Sequence, residues 1–322
     1  MAREFALFLL LLVGVVVVVA LYGRRAYDRR RALEDIRRDP ASDGVAPEPD
    51  PAERPALDAR TAIAGLDFTR ITLGRPAPTR HPIVLSHGYF GFDAIGASRL
   101  KREYFHGVRE RLEALGYSVH LIRVSRMAGV EQRARQLAEQ IRQLPGERVN
   151  IIAHSMGGLD ARYAIAQLGL DARVASLTTI GTPHRGTPIA DSSASLLGDR
   201  ARLRRLLASM GANVDGLYDL TTRRMADFNR LVLDAPSVRY ASVVGAVAPS
   251  EKPSTFFLAP GHAYLLRTVG PNDGMVPAES QRWGTVLGEI AADHWAQIGW
   301  SRGFDARALY ALLVEHLSTL GL

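Results

Sequence analysis

The chain contains no cysteine among its 322 residues. That excludes a disulfide framework, and it leaves cysteine usage silent about the compartment. No zinc-finger or RNP-like pattern is present, and no GxGxxG or P-loop run of the required form. The usual signatures of nucleic-acid, dinucleotide and nucleotide-phosphate partners are therefore missing. No internal repeat is visible either. Basic residues outnumber acidic ones 40 to 33, for a formal charge of +7. Six arginines against two acids in residues 1–31 supply +4 of that, and the remaining +3 is spread over the rest of the chain. The excess reads as a local basic patch facing anionic lipid, and no nucleic-acid partner is expected.

Ala6 to Tyr22 carries no charge and is almost entirely Leu, Val, Phe and Ala. At 17 residues it stands at the lower limit of a membrane span. Arg24, Arg25, Arg29, Arg30 and Arg31 follow it. Glu4 offsets Arg3, and no convincing small-x-small cleavage site is present, so an uncleaved single-pass anchor is expected over a signal peptide. The positive-inside rule places the arginine flank, and with it the folded domain, in the cytoplasm. Asp39 to Asp58 contains Pro40, Pro47, Pro49, Pro51 and Pro55 among acids and small residues, the composition of an extended linker. The expected organisation is an anchor with its basic flank over 1–31, a linker over 32–60 and one folded domain over 61–322.

Within that domain, apolar runs of strand length alternate with helix-length amphipathic segments. Strands are expected at Pro82–Ser86, Tyr117–Val124, Val149–Ala153, Val174–Ile180 and Arg239–Val247, with Tyr264–Val269 as the last strand or an extended segment near it. Helices are expected at Tyr104–Leu115, Val130–Leu144, Gly157–Leu168 and Asp305–Leu320. The runs at 83–85 and 149–153 show no polar alternation, as buried parallel strands do not. Strand–helix alternation of this kind predicts an α/β fold, a mostly parallel sheet with helices on both faces. Residues 186–236 interrupt the rhythm with helix-like stretches at Arg202–Met210 and Thr221–Val232. They read as an inserted lid.

The informative motif is Ala153-His154-Ser155-Met156-Gly157-Gly158 at the end of the third strand. It has the form of a nucleophile elbow, a sharp strand-to-helix turn that holds a serine hydroxyl out at the top of a sheet. Small residues are needed two places to either side of the serine, because the backbone closes on itself there. A serine hydroxyl needs a histidine base, held in one tautomer by a carboxylate, and after an elbow of this kind the acid comes before the histidine in the chain. Asp273, in the turn-rich run Asn272-Asp273-Gly274, is the first candidate acid. Asp293 is the second, but it is adjacent to His294. His294 is the best base candidate. His262 precedes the acid, His316 falls within the C-terminal helix, His154 belongs to the elbow, and His184 reads as structural or pocket-lining. Two backbone N–H groups must meet the oxyanion. Met156, after the nucleophile, is one candidate, and Tyr89, in His87-Gly88-Tyr89 after the first strand, is the other.

Four segments, in order, resemble the bacterial triacylglycerol lipases of the Pseudomonas and Burkholderia type, within the α/β-hydrolase fold. They are His81 to Asp93, Ala153 to Tyr163, Thr178 to Pro188 and Asn272 to Pro277, and the resemblance spans roughly residues 80–300. It implies Ser155, Asp273 and His294 as the triad, Tyr89 and Met156 as oxyanion donors, and a mobile lid over an acyl-binding cleft. It also implies a structural calcium with an aspartate ligand two residues after the histidine. That position is Ala296 here, and Glu251 only loosely matches the earlier ligand, so no calcium or other cofactor is expected. Relatives of this type are mostly secreted, which leaves the side of the membrane open, as it does a dedicated foldase partner. The expected activity is hydrolysis of a lipid or other ester through an acyl-enzyme. A phospholipase, an acyltransferase or a short-chain esterase would use the same groups. A non-enzymatic scaffold that retained the fold is a further alternative, set against a complete set of candidate residues.

Overall fold

The computed structural model describes residues 78–89, 103–198, 215–301 and 303–322. Six strands form one sheet in which every neighbouring pair is parallel. They are β1 (Ile83–Ser86), β2 (Val119–Ile122), β3 (Val149–His154), β4 (Val174–Ile180), β5 (Arg239–Gly245) and β6 (Thr285–Ile290), in the spatial order β2-β1-β3-β4-β5-β6. The helices are α1 (Val108–Ala114), α2 (Val130–Gln143), α3 (Gly157–Gln167), α4 (Pro188–Gly198), α5 (Asp215–Asp219), α6 (Thr222–Leu231), α7 (Ala259–Thr268), α8 (Ala278–Gln281) and α9 (Ala306–Thr319).

Strands β1, β3 and β4 are buried at every position, which accounts for their largely apolar runs. Alternate side chains enter opposite layers. Ile83, Leu85 and Ile152 pack with Val108, Leu112, Leu309 and Leu313 of α1 and α9. Val84, Ile151 and Ala153 pack with Leu137, Ile141 and Ile165 of α2 and α3. Each fully buried aliphatic side chain of this kind stabilises the fold by about 1.5–3 kcal/mol. Two helix starts are secured by carboxylates. Asp305 accepts the N–H groups of Arg307 and Ala308 at the start of α9, and Asp219 of α5 accepts the Val130 N–H at the start of α2 (2.8 Å).

Chain order and spatial order together place the site. From β1 the chain runs outward to β2, then crosses back to β3 on the other side of β1. The connections leaving β1 and β3 run to opposite sides of the sheet at this switch point, and in open α/β sheets the carboxyl ends of the strands there are where ligands bind.

Three expectations change. The first helix begins at Val108, not Tyr104, because Gly107 (φ 73°) turns the chain just before it. Tyr264–Val269 is not a strand. It falls largely within α7, whose first turn holds Pro260, where a missing N–H breaks no helical bond. The last strand is β6, an edge strand whose Gly288 and Glu289 mask its pattern.

The membrane anchor is also corrected. The expected span, Ala6–Tyr22, lies outside the described residues, and among the described residues no helix is long and apolar enough to cross a membrane. The longest described helices, α2 and α9, have 14 residues each. That is roughly 21 Å at 1.5 Å per residue, against a hydrocarbon core of about 30 Å. Among the described residues nothing supports the expected single-pass localisation or the membrane as a partner. Arg202–Met210 also lies outside the described residues. Between β4 and β5 the described residues form α4, α5 and α6 and no strand.

Candidate active site

Ser155 has φ 56°, the one non-glycine residue with positive φ among the described residues. A left-handed conformation costs a non-glycine residue roughly 1–3 kcal/mol and persists only where its surroundings hold it. Here the Ser155 N–H donates to Ile180 O (2.9 Å), while its carbonyl accepts from Thr182 Oγ1 (2.7 Å) and the Gly158 N–H (3.1 Å). The end of β4 thus clamps the turn at the end of β3. A methyl group on Gly157 would lie 2.6 Å from Ser86 O and 2.7 Å from His87 O, so the elbow packs directly on the end of β1.

His294 and Asp273 reach this serine from the far side of the sheet. His294 Nε2 lies 3.0 Å from Ser155 Oγ, and His294 Nδ1 lies 2.7 Å from Asp273 Oδ2. With Nδ1–H donating to the carboxylate, Nε2 is left to accept the serine hydroxyl proton. A backbone bond from His294 N–H to Asp273 O (2.8 Å) ties the two loops together. Asp273 is fully buried. Its Oδ1 accepts the N–H groups of Met275 (3.0 Å) and Val276 (2.7 Å), and its Oδ2 also accepts from Gln297 Nε2 (3.0 Å). The turn is shaped by Asn272, whose side-chain oxygen accepts from the Gly274 N–H (2.9 Å) and from His262 Nδ1 (3.0 Å).

The second candidate acid is occupied elsewhere. The Asp293 carboxylate accepts from both side-chain hydroxyls of Ser254 and Thr255 and from the N–H groups of Thr255, Trp295 and Ala296. It anchors the loop that carries His294.

Met156 N–H donates to no other described residue, and it sits at the start of α3, where the helix end favours negative charge. On the β1 side, Arg133 NH2 donates to the carbonyls of His87 (2.8 Å) and Gly88 (3.3 Å). His87 Nδ1–H also donates to Gly88 O (2.9 Å), since its Nε2 accepts the Val124 N–H (3.3 Å). In a trans peptide the N–H points opposite to the preceding carbonyl, so these bonds turn the Tyr89 N–H away from Arg133. Arg133 also donates to Ser125 O (2.7 Å) and forms a fully buried ion pair with Asp160 (2.7 Å). Burial pushes the Asp160 carboxyl up to about 6, outweighing the adjacent guanidinium, and pushes His87 down to about 3 with help from the Arg133 charge.

The remaining histidines are placed by contact. His154 lies under the site, its ring 4.5 Å from that of His294, and burial together with the His294 charge holds it well below the usual imidazole range. His184 is fully buried, bonded to Thr179 Oγ1 (3.0 Å) and stacked on Trp283. His316 is on α9. Arg133, Gln297 and Tyr104 were not singled out from the sequence. Arg133 carried a signal: with Val130, Ala134, Leu137 and Ile141 it falls on the buried face of α2.

A family profile described as "alpha/beta hydrolase fold" matches residues 126–227. The triacylglycerol lipase 2 of Saccharomyces cerevisiae is 30% identical over 270 residues, covering 69% of this chain and 81% of that one. The chain belongs to the α/β-hydrolase superfamily, among its lipases and esterases. A triacylglycerol lipase of Pseudomonas fragi is 42% identical over 117 residues, 35% of this chain and 38% of that lipase. The mature lipase BlEst2 of Bacillus licheniformis superposes with a TM-score of 0.59 at 25% identity, over 74% of this chain and 94% of that one. The expected kinship with the Pseudomonas and Burkholderia subtype is thus established only at the level of α/β-hydrolase lipases and esterases. The residues of this α/β-hydrolase do not fit the calcium the resemblance implies. Ala296 offers no side-chain oxygen, Asp293 is already bonded to five donors, and no cluster of three or more metal-ligating side chains occurs among the described residues.

Proposed function

We propose that this protein is a lipase-like serine carboxylic-ester hydrolase that cleaves acylglycerol or other lipid esters through an acyl-enzyme. The observation that carries this reading is the hydrogen-bonded line Ser155–His294–Asp273, meeting a strained elbow at the switch point of the sheet. His294 Nε2 takes the Ser155 proton as Oγ attacks the ester carbonyl. Asp273 holds the imidazole in the tautomer that permits this and stabilises the cation formed. The Met156 and Tyr89 N–H groups receive the oxyanion. His294 then protonates the leaving alcohol, and water activated by the same nitrogen releases the acid.

Residues 61–322 are taken as the catalytic unit and residues 186–236 as its lid. Supporting the lid is the position of α5: the Gly216 N–H donates to Met127 O (3.3 Å), and the Gly216 backbone packs on the Tyr89 ring. An element of the insertion therefore rests on the loop that supplies an oxyanion donor. An acylglycerol substrate is favoured by the relatives named as triacylglycerol lipases.

The test compares hydrolysis of p-nitrophenyl esters of short to long acyl chains by the full chain and by Ser155→Ala. The expected result is serine-dependent turnover that extends to long chains and survives calcium chelation. Equal turnover by Ser155→Ala would overturn the reading.

A further inference from the structure

The structure assigns Gln297 a role as a positioning residue for this site: its amide is the polarity-setting link of a buried relay that runs from Asp273 through His154 and Tyr104 to the Gly88 N–H of the oxyanion loop. The inference rests on the reading of Ser155, His294 and Asp273 given above.

Gln297 is fully buried. Its slot lies between two strand ends that have no side chain to put there. A methyl group on Gly181, after β4, would lie 2.3 Å from Gln297 Oε1, and one on Gly245, at the end of β5, would lie 2.0 Å from Gln297 Nε2. An amide held this tightly on both sides cannot swing away, so its two ends address fixed partners. Nε2 donates to Asp273 Oδ2 (3.0 Å), and Oε1 lies 3.2 Å from His154 Nε2. His154 Nδ1 lies 2.7 Å from Tyr104 Oη, and Tyr104 Oη accepts the Gly88 N–H (3.2 Å).

Donor and acceptor roles along this line follow from one end. Asp273 is a carboxylate and can only accept, so Gln297 turns its NH₂ toward it and its oxygen toward His154. The oxygen requires Nε2–H on His154. That leaves His154 Nδ1 as an acceptor, so the Tyr104 hydroxyl donates to it and keeps its oxygen for the Gly88 N–H. Every group has one allowed orientation, and His154 is neutral in it. A neutral His154 matters because its ring lies 4.5 Å from that of His294, which becomes a cation during acyl transfer. A second cation there would oppose that step.

The amide does this without charge. The titratable groups facing Gln297 are Asp273 and His294 on one side and His154 on the other, with Tyr104 and Arg133 one step further along. A glutamate at 297 would be nearly isosteric, but it would set a second carboxylate against Asp273. It would stabilise protonated His294 and draw a proton onto His154.

The test uses the full chain and a soluble p-nitrophenyl ester, with kcat and KM measured across pH for the wild type, Gln297→Glu, Gln297→Met, Tyr104→Phe and the Gln297→Met/Tyr104→Phe double variant. In Gln297→Glu the acid limb of kcat/KM moves up by about one pH unit, because an added negative charge raises the pH at which His294 loses its proton. Gln297→Met lowers kcat about ten-fold with KM within two-fold, and its acid limb does not move upward. Tyr104→Phe, which deletes a single oxygen and keeps the packing, lowers kcat at unchanged KM. Its effect and that of Gln297→Met combine to less than the product of the two, because each cuts the same line. A Gln297→Glu profile superimposed on the wild type would overturn the relay while leaving the ester-hydrolase reading intact, as would full additivity of Gln297→Met and Tyr104→Phe. If the wild type shows no Ser155-dependent turnover, both readings fall.

Discussion

Lowering the pH from 7 to 5 should cost this protein much of its stability. His87, His154 and His184 are buried, and each is held well below the usual imidazole range. Burial is the leading cause for all three. The next cause is a nearby positive group: Arg133 for His87, His294 for His154 and Arg162 for His184. The unfolded chain binds a proton at each of them near pH 6.5, whereas the folded chain does not. Their contribution to stability is therefore fully present above pH 6.5 and is lost as the pH falls below it. Each group removes about 1.4 kcal/mol per pH unit, so the three together remove about 6 kcal/mol between pH 6.5 and 5.0. Asp160 works in the opposite direction. Its folded carboxyl titrates at about 6, so acid relieves a buried charge and returns roughly 1.4 kcal/mol by pH 5.0. The net loss is about 5 kcal/mol, against total stabilities of about 5–15 kcal/mol for folded proteins. Urea unfolding followed by tryptophan fluorescence at pH 7.0, 6.0 and 5.0 measures it directly. A stability constant to within about 1 kcal/mol over that range would refute the assignment of three neutral histidines to the folded state.

Three further outcomes follow from the geometry of the site. Arg133→Ala strands Asp160 in the interior and removes a donor from the carbonyls of His87 and Gly88, so it should destabilise the fold by about 3–5 kcal/mol in chemical denaturation. Arg133→Met combined with Asp160→Leu should recover most of that stability yet turn over ester at least about ten-fold more slowly, because the His87 ring alone then holds the Gly88 carbonyl that orients the Tyr89 peptide. Asp273→Asn should lower kcat by about 10²–10⁴-fold at nearly unchanged KM, since an amide NH₂ in place of Oδ2 favours the wrong tautomer of His294. A mild loss would mean that Asp293 or another group takes over.

What the sequence made legible was governed by local rules. The elbow, the buried strands β1, β3 and β4 and the base rate of strand–helix alternation all follow from contacts within a few residues, and their positions agree closely with the structure. The residues Ser155, His294 and Asp273 were found by motif and chain order, and the fold brings them within hydrogen-bond reach. The failures arose where neighbours decide. Tyr264-Leu265-Leu266-Arg267-Thr268-Val269 has strand-like composition, but it becomes part of α7 because Leu258 and Leu265 turn inward together from a helix opened by Pro260. Strand β6 is recognisable only through its pairing with β5. Arg133 lay on the apolar face of its helix, yet nothing within reach in the chain indicated the carboxylate 27 residues away that neutralises it. The two side-chain partners of Gln297, Asp273 and His154, are 24 and 143 residues distant, beyond any local pattern.

The electrostatics of the site explain why so many polar groups can be buried around one serine. Arg133 and Asp160 neutralise each other, and His87 and His154 are neutral. Asp273 is the buried carboxylate hydrogen-bonded to His294, and it is solvated by two backbone N–H groups and the Gln297 amide. Before reaction its charge has no ionic partner within the triad. When His294 accepts the Ser155 proton, a cation forms with its Nδ1 2.7 Å from that carboxylate, while Arg133 is already paired with Asp160. The attraction is realised only once the proton has moved. Such an interaction lowers the barrier to acylation without tightening the binding of the ester itself. Replacing a neutral neighbour by a charged one removes that difference, which is why the identity of residue 297 should register in kcat and its pH profile and not in KM.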